Sequence, residues 1–180
     1  MNQAALVFDL ETQRLAEEVG GWQHVDRLGM SAAVTLDTAS GQVCRYVEAD
    51  APALIAQLHQ APALVGYNIR RFDLEVLRPY GLAVDLFPAE HIIDLLEHLH
   101  QALGFRVSLD NVASATLGLH KTASGLEAVR WYRQGEIEKL LDYCEEDVRI
   151  TWRLWEHGRA RRQVAMRDRD FRLRTVPVDW

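Results

Sequence analysis

Cysteine is scarce in this 180-residue sequence, which contains only Cys44 and Cys144 and no CxxC pair. Two such widely separated cysteines argue against a disulfide scaffold and a structural zinc site, and they are typical of a reducing compartment. Long apolar runs are also missing, because the longest, such as residues 4–8 and 61–65, are strand-sized, whereas a membrane span needs about 18 residues or more. The N-terminus lacks the basic start of a secretory signal. We therefore expect a cytoplasmic protein without a membrane partner.

Positive charge is in short supply and unevenly distributed. The chain has 20 basic and 26 acidic residues, a net charge of −6. Residues 158–180 hold seven arginines and three aspartates, a net +4, which leaves a net −10 for residues 1–157. A uniformly basic surface that binds nucleic acid by charge alone is therefore excluded. A nucleic-acid partner would require bound cations that offset the negative charge locally.

The order of apolar segments predicts an α/β fold: a mixed five-stranded sheet flanked by helices, over residues 1–157. The first three strands form a meander, and the fourth and fifth follow helical crossovers. Strands are predicted at residues 5–10, 30–36, 43–48, 63–67 and 91–94. Helices are predicted from residue 50, at 72–77, from about 95 to 103, from Ser108 to about 118, at 124–133 and at 136–157. Residues 11–29 are predicted to be a long loop.

Residues 158–180 are predicted to form a basic C-terminal β-hairpin, because QVAMR and FRLRTV flank a tight polar turn. Side chains alternate along a strand, so we expect Phe171 and Leu173 to face the body of the protein. Arg167, Arg169, Arg172 and Arg174 would give a basic strip, with Arg172 and Arg174 facing outward, and this strip would bind the incoming strand or a partner protein. The alternative role is a solubilising edge that blocks pairing between sheets.

Two acidic segments lie in the first half of the chain. FDLET places Asp9 and Glu11 two positions apart on a predicted strand, so both carboxylates leave the same face. Neighbouring carboxylates repel each other unless a proton or a cation lies between them. GYNIRRFDLEVL, residues 66–77, places Asp73 where a strand gives way to a helix, with Asn68 five residues earlier.

A third segment, YCEEDVRIT, places Tyr143 and Asp147 four residues apart on a predicted helix, where they share a face. Each pattern is weak alone, because a second DxE begins at Asp73 and a second YxxxD runs from Tyr46 to Asp50. The pair of Tyr46 and Asp50 runs off a strand end and shares no helical face. The three segments carry weight together, because each has apolar context and the expected type of element.

In this order the three segments resemble the Exo I, Exo II and Exo III motifs of the DEDD 3′→5′ exonucleases, the DnaQ-like branch of the ribonuclease H-like fold. Tyr143, in place of a histidine, is similar to the DEDDy subgroup. The second and third segments look most like the proofreading domains of B-family DNA polymerases, and are similar to small ribonuclease H-like nuclease domains found free or beside helicases. The resemblance spans about residues 4–157 and implies a ribonuclease H-like sheet.

The resemblance also implies a role for each residue. Asp9 matches the aspartate that bridges two metal ions, and Glu11 matches the glutamate that binds the first ion. Asp73 matches the aspartate that supports the second ion, and Asp147 matches the last ligand of the first ion. Tyr143 matches the tyrosine that positions the attacking water. Oxygen ligands without histidine or cysteine suit Mg²⁺ or Mn²⁺, and two such ions can clamp an in-line phosphoryl displacement.

Five further residues are candidate nucleic-acid contacts. Trp22 lies in a polar loop after the first motif, where it is placed to stack on a base or else packs under its own loop. Lys121 lies in a loop from which it can approach a phosphate. Arg70 and Arg71, in the second motif, are candidate phosphate contacts. Asn68 is either a turn-forming residue after a strand or a contact at the scissile bond.

We therefore expect a metal-dependent 3′→5′ exonuclease that acts on single-stranded DNA or RNA ends and releases nucleoside 5′-monophosphates. The expected cofactors are two Mg²⁺ or Mn²⁺ ions. The expected partners are nucleic acid and, by the resemblance to domains beside helicases, a helicase or other repair or RNA-processing protein. One alternative is a non-catalytic nucleic-acid- or partner-binding module on the same fold; a missing carboxylate would mark it, and none is missing. Another is a metal-dependent phosphatase or endonuclease of a different fold, which would need histidine ligands or a DxD start.

Overall fold

A computed structural model describes residues 4–180 as two β-sheets and six α-helices joined by loops and short 3₁₀ helices. The strands are β1 (Leu6–Thr12), β2 (Met30–Asp37), β3 (Val43–Val47), β4 (Leu64–Gly66), β5 (Ile92–Asp94), β6 (Gln163–Arg167) and β7 (Leu173–Pro177). The α-helices are α1 (Ala51–Gln60), α2 (Asp73–Leu77), α3 (Leu95–Leu103), α4 (Leu109–Leu117), α5 (Gly125–Gln134) and α6 (Ile137–Arg161).

The larger sheet has five strands in the order β3-β2-β1-β4-β5. β1 and β2 are antiparallel, as are β2 and β3, whereas β4 is parallel to both β1 and β5. The antiparallel strands come first in the chain, and β4 and β5 follow crossovers that contain α1 and α2. The predicted mixed five-stranded sheet flanked by helices is therefore confirmed, with β1 at its centre.

β1 is buried on both faces of this sheet, and its apolar sequence up to Leu10 reflects that position. Val7 packs into the core on the side of α6, whereas Phe8 and Leu10 pack into a second core with α1 and α2. Because side chains alternate along a strand, Asp9 and Glu11 lie on the same face as Val7. The fold thus directs both carboxylates toward α6, which packs against β1 and β2.

Two segments differ from the prediction. Residues 11–29, expected to be a loop, first continue β1 to Thr12 and then form the 3₁₀ helices Ala16–Val19 and Trp22–Arg27. Helix α6 was expected to end at residue 157 but continues to Arg161. The boundary predicted between residues 157 and 158 therefore falls inside a helix.

Gly158 explains why the sequence predicts an end of α6 four residues too early. A glycine inside a helix costs about 1 kcal/mol relative to alanine, so it usually indicates a helix end. Here a Cβ at Gly158 would collide with the indole of Trp180. The indole N–H of Trp180 donates to the carbonyl of Trp155 at 3.1 Å, so this close packing holds the end of the chain on α6. Across residues 4–180, no helix has both the length and the apolar composition needed to cross a bilayer.

The C-terminal hairpin forms as predicted, but the face expected to point outward is the one that packs on the body of the protein. Met166 pairs with Arg174, and the buried side chains of Met166 and Val176 face the body of the protein. Phe171 and Leu173 consequently remain exposed, at 80% and 59%, which corrects the prediction that they pack inward. Burial of Val176 and Val178 decides which face of the hairpin packs on the body, at the expense of Phe171 and Leu173 near the turn. Within the described residues, β6 and β7 pair only with each other and do not protect an edge of the larger sheet.

Candidate active site

The central strand and the longest helix together create a cluster of carboxylates. Asp9 is half-buried on β1, and Glu11 on the same face is only 9% exposed. Asp147 on α6 faces them and is 3% exposed. One carboxylate oxygen from each of these three residues lies within 4.8 Å of the other two. We call Asp9, Glu11 and Asp147 the carboxylate cluster; in residues 4–180 it is the one such group of metal-ligating side chains.

Asp73 approaches the same part of β1 but stands outside the carboxylate cluster. It is the first residue of α2 and is 1% exposed, and its Oδ1 accepts a hydrogen bond from the backbone N–H of Leu10 at 2.9 Å. That bond places the Asp73 carboxylate beside the peptide that follows Asp9. Gly66, at the end of β4, lets Ile69 of the same segment pack closely beside β1, because a Cβ there would lie 3.0 Å from the carbonyl oxygen of Phe8 and collide with Ile69.

Burial and mutual repulsion make these carboxylates hard to ionise together. Burial, followed by the charge of Asp147, raises the pKa of Asp9 to about 7. Burial and then the charge of Asp9 raise the pKa values of Glu11 and Asp73 well above their ordinary values. Burial also raises the pKa of Asp147, against the opposing effect of Lys121. A bound cation would favour the ionised form of all these carboxylates and relieve their mutual repulsion.

Lys121 already supplies one positive charge at the cluster. Its ammonium nitrogen lies 2.5 Å from Asp147 Oδ2 and 5.2 Å from the ring centroid of Tyr143. Burial is the largest single influence and would lower the pKa of this ammonium group, but the charges of Asp147, Tyr143 and Asp9 and the hydrogen bond to Asp147 together outweigh burial and raise it. Asp110 fixes the loop, because its carboxylate accepts the backbone N–H of Lys121 at 2.9 Å. The pairing with a carboxylate is a feature that the sequence did not indicate.

The donors present fit hard divalent cations. The cluster offers only carboxylate oxygens, the ligands that Mg²⁺ and Mn²⁺ prefer. Asp147 Oδ1 is fully buried and has no hydrogen-bond partner among the described residues, although buried acceptors are nearly always satisfied. The ammonium group of Lys121 shows that the other oxygen of Asp147 already accommodates a cation. These observations agree with the predicted metal site.

Tyr143 lies one turn before Asp147 on α6, as the four-residue spacing predicted. Its side chain is 4% exposed, and its ring packs edge-on against Trp131 with centroids 5.8 Å apart. Burial, followed by the charges of Asp147 and Glu11, raises the pKa of the Tyr143 hydroxyl above its ordinary value. The side chain is therefore a neutral phenol that can donate a hydrogen bond beside the cluster.

A cleft of about 450 Å³ opens over the carboxylate cluster, and apolar side chains form part of its wall. Trp22 lines it with 71% of its surface exposed, so the alternative that this ring packs under its own loop is wrong. The rings of Trp22 and Phe72 are tilted by 53° with centroids 6.3 Å apart. Leu126 at the start of α5 also lines the cleft and is 64% exposed. We call this cavity the active-site cleft.

The segment between β4 and α2 is organised by Asp94, whose role the sequence analysis missed. The Asp94 carboxylate accepts backbone N–H groups from Asn68 at 2.8 Å and from Arg70 at 3.0 Å. It also caps α3 by accepting the N–H of Leu96 at 3.1 Å. Asn68 has a φ of 71°, a conformation that asparagine tolerates better than most residues. An aspartate at the end of an apolar strand, just before a helix, was the available signal.

The two arginines of this segment differ in their contacts. Arg70 points its guanidinium back into the protein, where Nη2 donates to the carbonyls of Ala89 at 2.5 Å and Ile92 at 2.6 Å. Arg71 is exposed. These contacts give Arg70 a part in holding the segment, and phosphate contact by either arginine stays a prediction.

The predicted basic strip of the hairpin lies apart from the carboxylate cluster. Arg174 Nε donates to Asp168 Oδ2 at 2.8 Å, on the body-facing side of the hairpin. Arg172 is exposed in the turn, and neither arginine lines the active-site cleft.

Comparisons with known proteins agree with this architecture. A family model described as the RNase_H superfamily matches residues 6–158. A family B DNA polymerase from the hyperthermophilic archaeon Pyrobaculum calidifontis is similar to 88% of this chain, with a TM-score of 0.67 and 16% sequence identity. The alignment covers 25% of that polymerase chain, and at this identity the likeness shows the fold alone. A search of curated proteins found no match.

Proposed function

The chain belongs to the RNase_H superfamily, and on that premise we propose that it is a metal-dependent 3′→5′ exonuclease of the DEDDy type. Its substrates would be single-stranded DNA or RNA ends, and its products nucleoside 5′-monophosphates. The observation that carries the proposal is the carboxylate cluster, in which Asp9, Glu11 and Asp147 converge within 4.8 Å. Tyr143 and Asp73 lie beside it, so all five residues of the three sequence motifs meet at one place.

The carboxylates would hold two divalent ions. Asp9, Glu11 and Asp147 would bind the first, and Asp9 with Asp73 would bind the second. When bound, such ions lower the pKa of an attacking water and stabilise the charge that develops on the departing oxygen. Burial, and then repulsion between the neighbouring carboxylates, raises the pKa values of Asp9 and Glu11, and each ligand must be ionised to bind.

Tyr143 would orient the attacking water. Its raised pKa keeps the proton on Oη, so the hydroxyl donates a hydrogen bond rather than removing a proton. Lys121 would contact a phosphate oxygen. Its ammonium group already lies at Asp147 and over the Tyr143 ring, where the scissile phosphate must come close to the carboxylates.

Nucleic acid is the partner class for which the active-site cleft offers suitable chemistry. A helicase or other repair or RNA-processing partner has no support from the comparisons and stays a prediction from the resemblance. The cytoplasmic location and the choice between Mg²⁺ and Mn²⁺ are likewise predictions.

Direction of cleavage is the property that tests this proposal. A single-stranded oligonucleotide with a 5′ label, incubated with Mn²⁺, should shorten stepwise from its 3′ end and release nucleoside 5′-monophosphates. A circular single strand of the same sequence should stay intact, because it offers no end. A nucleic-acid stain makes both substrates visible on one denaturing gel. Cutting of the circle would identify an endonuclease, and an intact linear strand would favour the non-catalytic binding module.

Trp22 should hold the terminal bases of the strand. Replacing it with alanine should weaken binding of a single strand by about five-fold to one-hundred-fold, because base stacking on an aromatic ring is worth about 1–3 kcal/mol. The matched control is Leu86→Ala, since Leu86 is 72% exposed but does not line the active-site cleft. Fluorescence anisotropy with a labelled strand measures both. Equal binding by the two variants would show that Trp22 takes no part.

A further inference from the structure

A second cleft, of about 600 Å³, lies between the beginning of α4 and the β6–β7 hairpin. We call it the hairpin cleft. Its charged walls contain Arg106, Arg167, Arg169, Arg174, Asp168 and Asp170. Four arginines against two aspartates contrast with the net charge of −10 over residues 1–157. The hairpin cleft is thus a positive region on an acidic protein.

The carboxylate of Asp168 makes its hydrogen bonds within the hairpin. Asp168 Oδ1 accepts the backbone N–H groups of Asp170 at 2.9 Å and Arg172 at 3.0 Å. Asp168 Oδ2 pairs with Arg174 Nε at 2.8 Å. Arg167 and Arg169 have no carboxylate within 4.0 Å in the part of the chain that the structure describes. Their charges remain available to a ligand in the hairpin cleft.

The hairpin is held firmly against α4, so these arginines have a defined position. The side-chain amide of Asn111 accepts the backbone N–H of Arg167 at 2.8 Å and donates to its carbonyl at 2.9 Å. Thr116 does the same for Ala165, with both distances 2.9 Å. Side chains of α4 therefore form the hydrogen bonds that the backbone groups on the outer edge of β6 would otherwise make with a third strand.

Exposed apolar side chains accompany the arginines. Phe105 lines the hairpin cleft and is 45% exposed. Phe171, in the turn, is 80% exposed and has a φ of 58°, a conformation that bulky residues rarely adopt. Leu173 pairs across the hairpin with Arg167 and is also exposed. Aromatic rings beside guanidinium groups that have no carboxylate partner match a ligand that offers both flat bases and phosphates.

Arg106 connects the hairpin cleft to the segment that carries Asp73. Its Nη2 donates to Asn68 Oδ1 at 2.6 Å. Arg106 also lines a smaller groove, of about 210 Å³, together with Asn68 and Arg71. Positive side chains thus run from the segment just before Asp73 to the hairpin.

We propose that the hairpin cleft binds single-stranded nucleic acid on the 5′ side of the end that enters the active-site cleft. Arg106, Arg167 and Arg169 contact phosphates there, while Phe105 and Phe171 stack on bases. The inference rests on the proposed function, because it assumes a nucleic-acid substrate. Of the predicted basic strip it keeps Arg167 and Arg169. It gives no phosphate contact to Arg172, which does not line the hairpin cleft, or to Arg174, which pairs with Asp168.

The test compares strand lengths. In the full-length Asp9→Ala protein, which should bind without cutting, strands of about 4 and about 20 nucleotides are titrated by fluorescence anisotropy. Adding R167S and R169S should weaken binding of the long strand at least about ten-fold and remove the preference for it over the short strand. The salt dependence should fall by about 1.4 units of log–log slope, at about 0.7 per lost phosphate contact on a single strand. Adding Phe171→Ala alone should weaken the long strand about five-fold or more.

The control pair is R161S with R162S, which removes the same charge where α6 ends but outside the hairpin cleft. It should retain the length preference, and circular dichroism checks that both pairs fold. Equal binding by the two pairs would overturn the inference. So would displacement of the strand by polyglutamate of equal charge as effectively as by unlabelled strand, because the cleft would then recognise an acidic protein. If the wild-type protein neither binds nor hydrolyses any strand, the proposed function itself has failed.

Discussion

Replacing Asp9 or Asp147 with alanine is expected to reduce strand hydrolysis below detection. Both side chains belong to the carboxylate cluster that would hold the ions, and an alanine supplies no ligand oxygen in their place. Replacing Tyr143 with phenylalanine should only slow hydrolysis, by about 10²–10⁴-fold at most, because the hydroxyl orients water and holds no ion. Single-turnover cleavage of an end-labelled strand with Mn²⁺ measures all three variants.

The chain offers matched controls for both residue types. Tyr46 belongs to the chance YxxxD pattern and packs against the core on the side of α1, opposite to α6. Its hydroxyl donates a hydrogen bond to Gln57 Oε1 at 2.9 Å, so Tyr46→Phe should leave the rate unchanged. Asp142 lies on α6 but pairs with Arg45 on the surface, so Asp142→Asn should also be neutral. Equal loss of rate from Tyr46→Phe and Tyr143→Phe would mean that the wrong tyrosine had been assigned.

Mg²⁺ or Mn²⁺ is expected to raise the melting temperature of the wild-type protein by about 5–10 °C. An ion that binds only the folded state stabilises it by about 2.7 kcal/mol at one hundred times its dissociation constant, and 1 kcal/mol shifts a protein of this size by about 2–4 °C. The shift should be largest above pH 7. Folding raises the pKa of Asp9 from 3.8 to about 7. Protonated Asp9 therefore contributes stability to the apo protein that is complete below pH 3.8, declines as the pH rises, and is gone once the pH exceeds about 7.

Asp9→Asn separates the effect of the ions from general salt effects. Without ions the variant should melt above the wild type, because it no longer carries one of the crowded carboxylates. With ions it should gain little, whereas Asp142→Asn should gain as much as the wild type. Scanning calorimetry at constant ionic strength measures these differences. Identical melting curves with and without millimolar ions would contradict the metal site.

Local spacing predicted much of the candidate site. A two-residue period on a strand directs Asp9 and Glu11 to one face, and a four-residue period on a helix does the same for Tyr143 and Asp147. Those periods depend only on backbone geometry, so they survive folding. The mixed sheet followed from the order of strands and crossovers. These rules were sufficient for the five-stranded sheet and the three carboxylates that meet on it.

Contacts between distant segments could not be predicted in this way. The pairing of Lys121 with Asp147 depends on how the loop before α5 packs over α6. The capping role of Asp94 depends on the approach of the segment after β4. The prediction of which hairpin face packs on the body was wrong, because Val176 and Phe171 lie on different faces and only packing decides between them. Each case needs three-dimensional proximity that spacing does not encode.

Hydrolysis in ¹⁸O-labelled water, with the products read by mass spectrometry, tests the central claim most directly. If the carboxylate cluster directs water to the 3′-terminal phosphodiester, the heavy oxygen should appear in the 5′-phosphate of each released mononucleotide. The label should be absent from the 3′ hydroxyl of the shortened strand. A nucleoside 3′-phosphate as product, or an intact strand after prolonged incubation with Mn²⁺, would contradict the account.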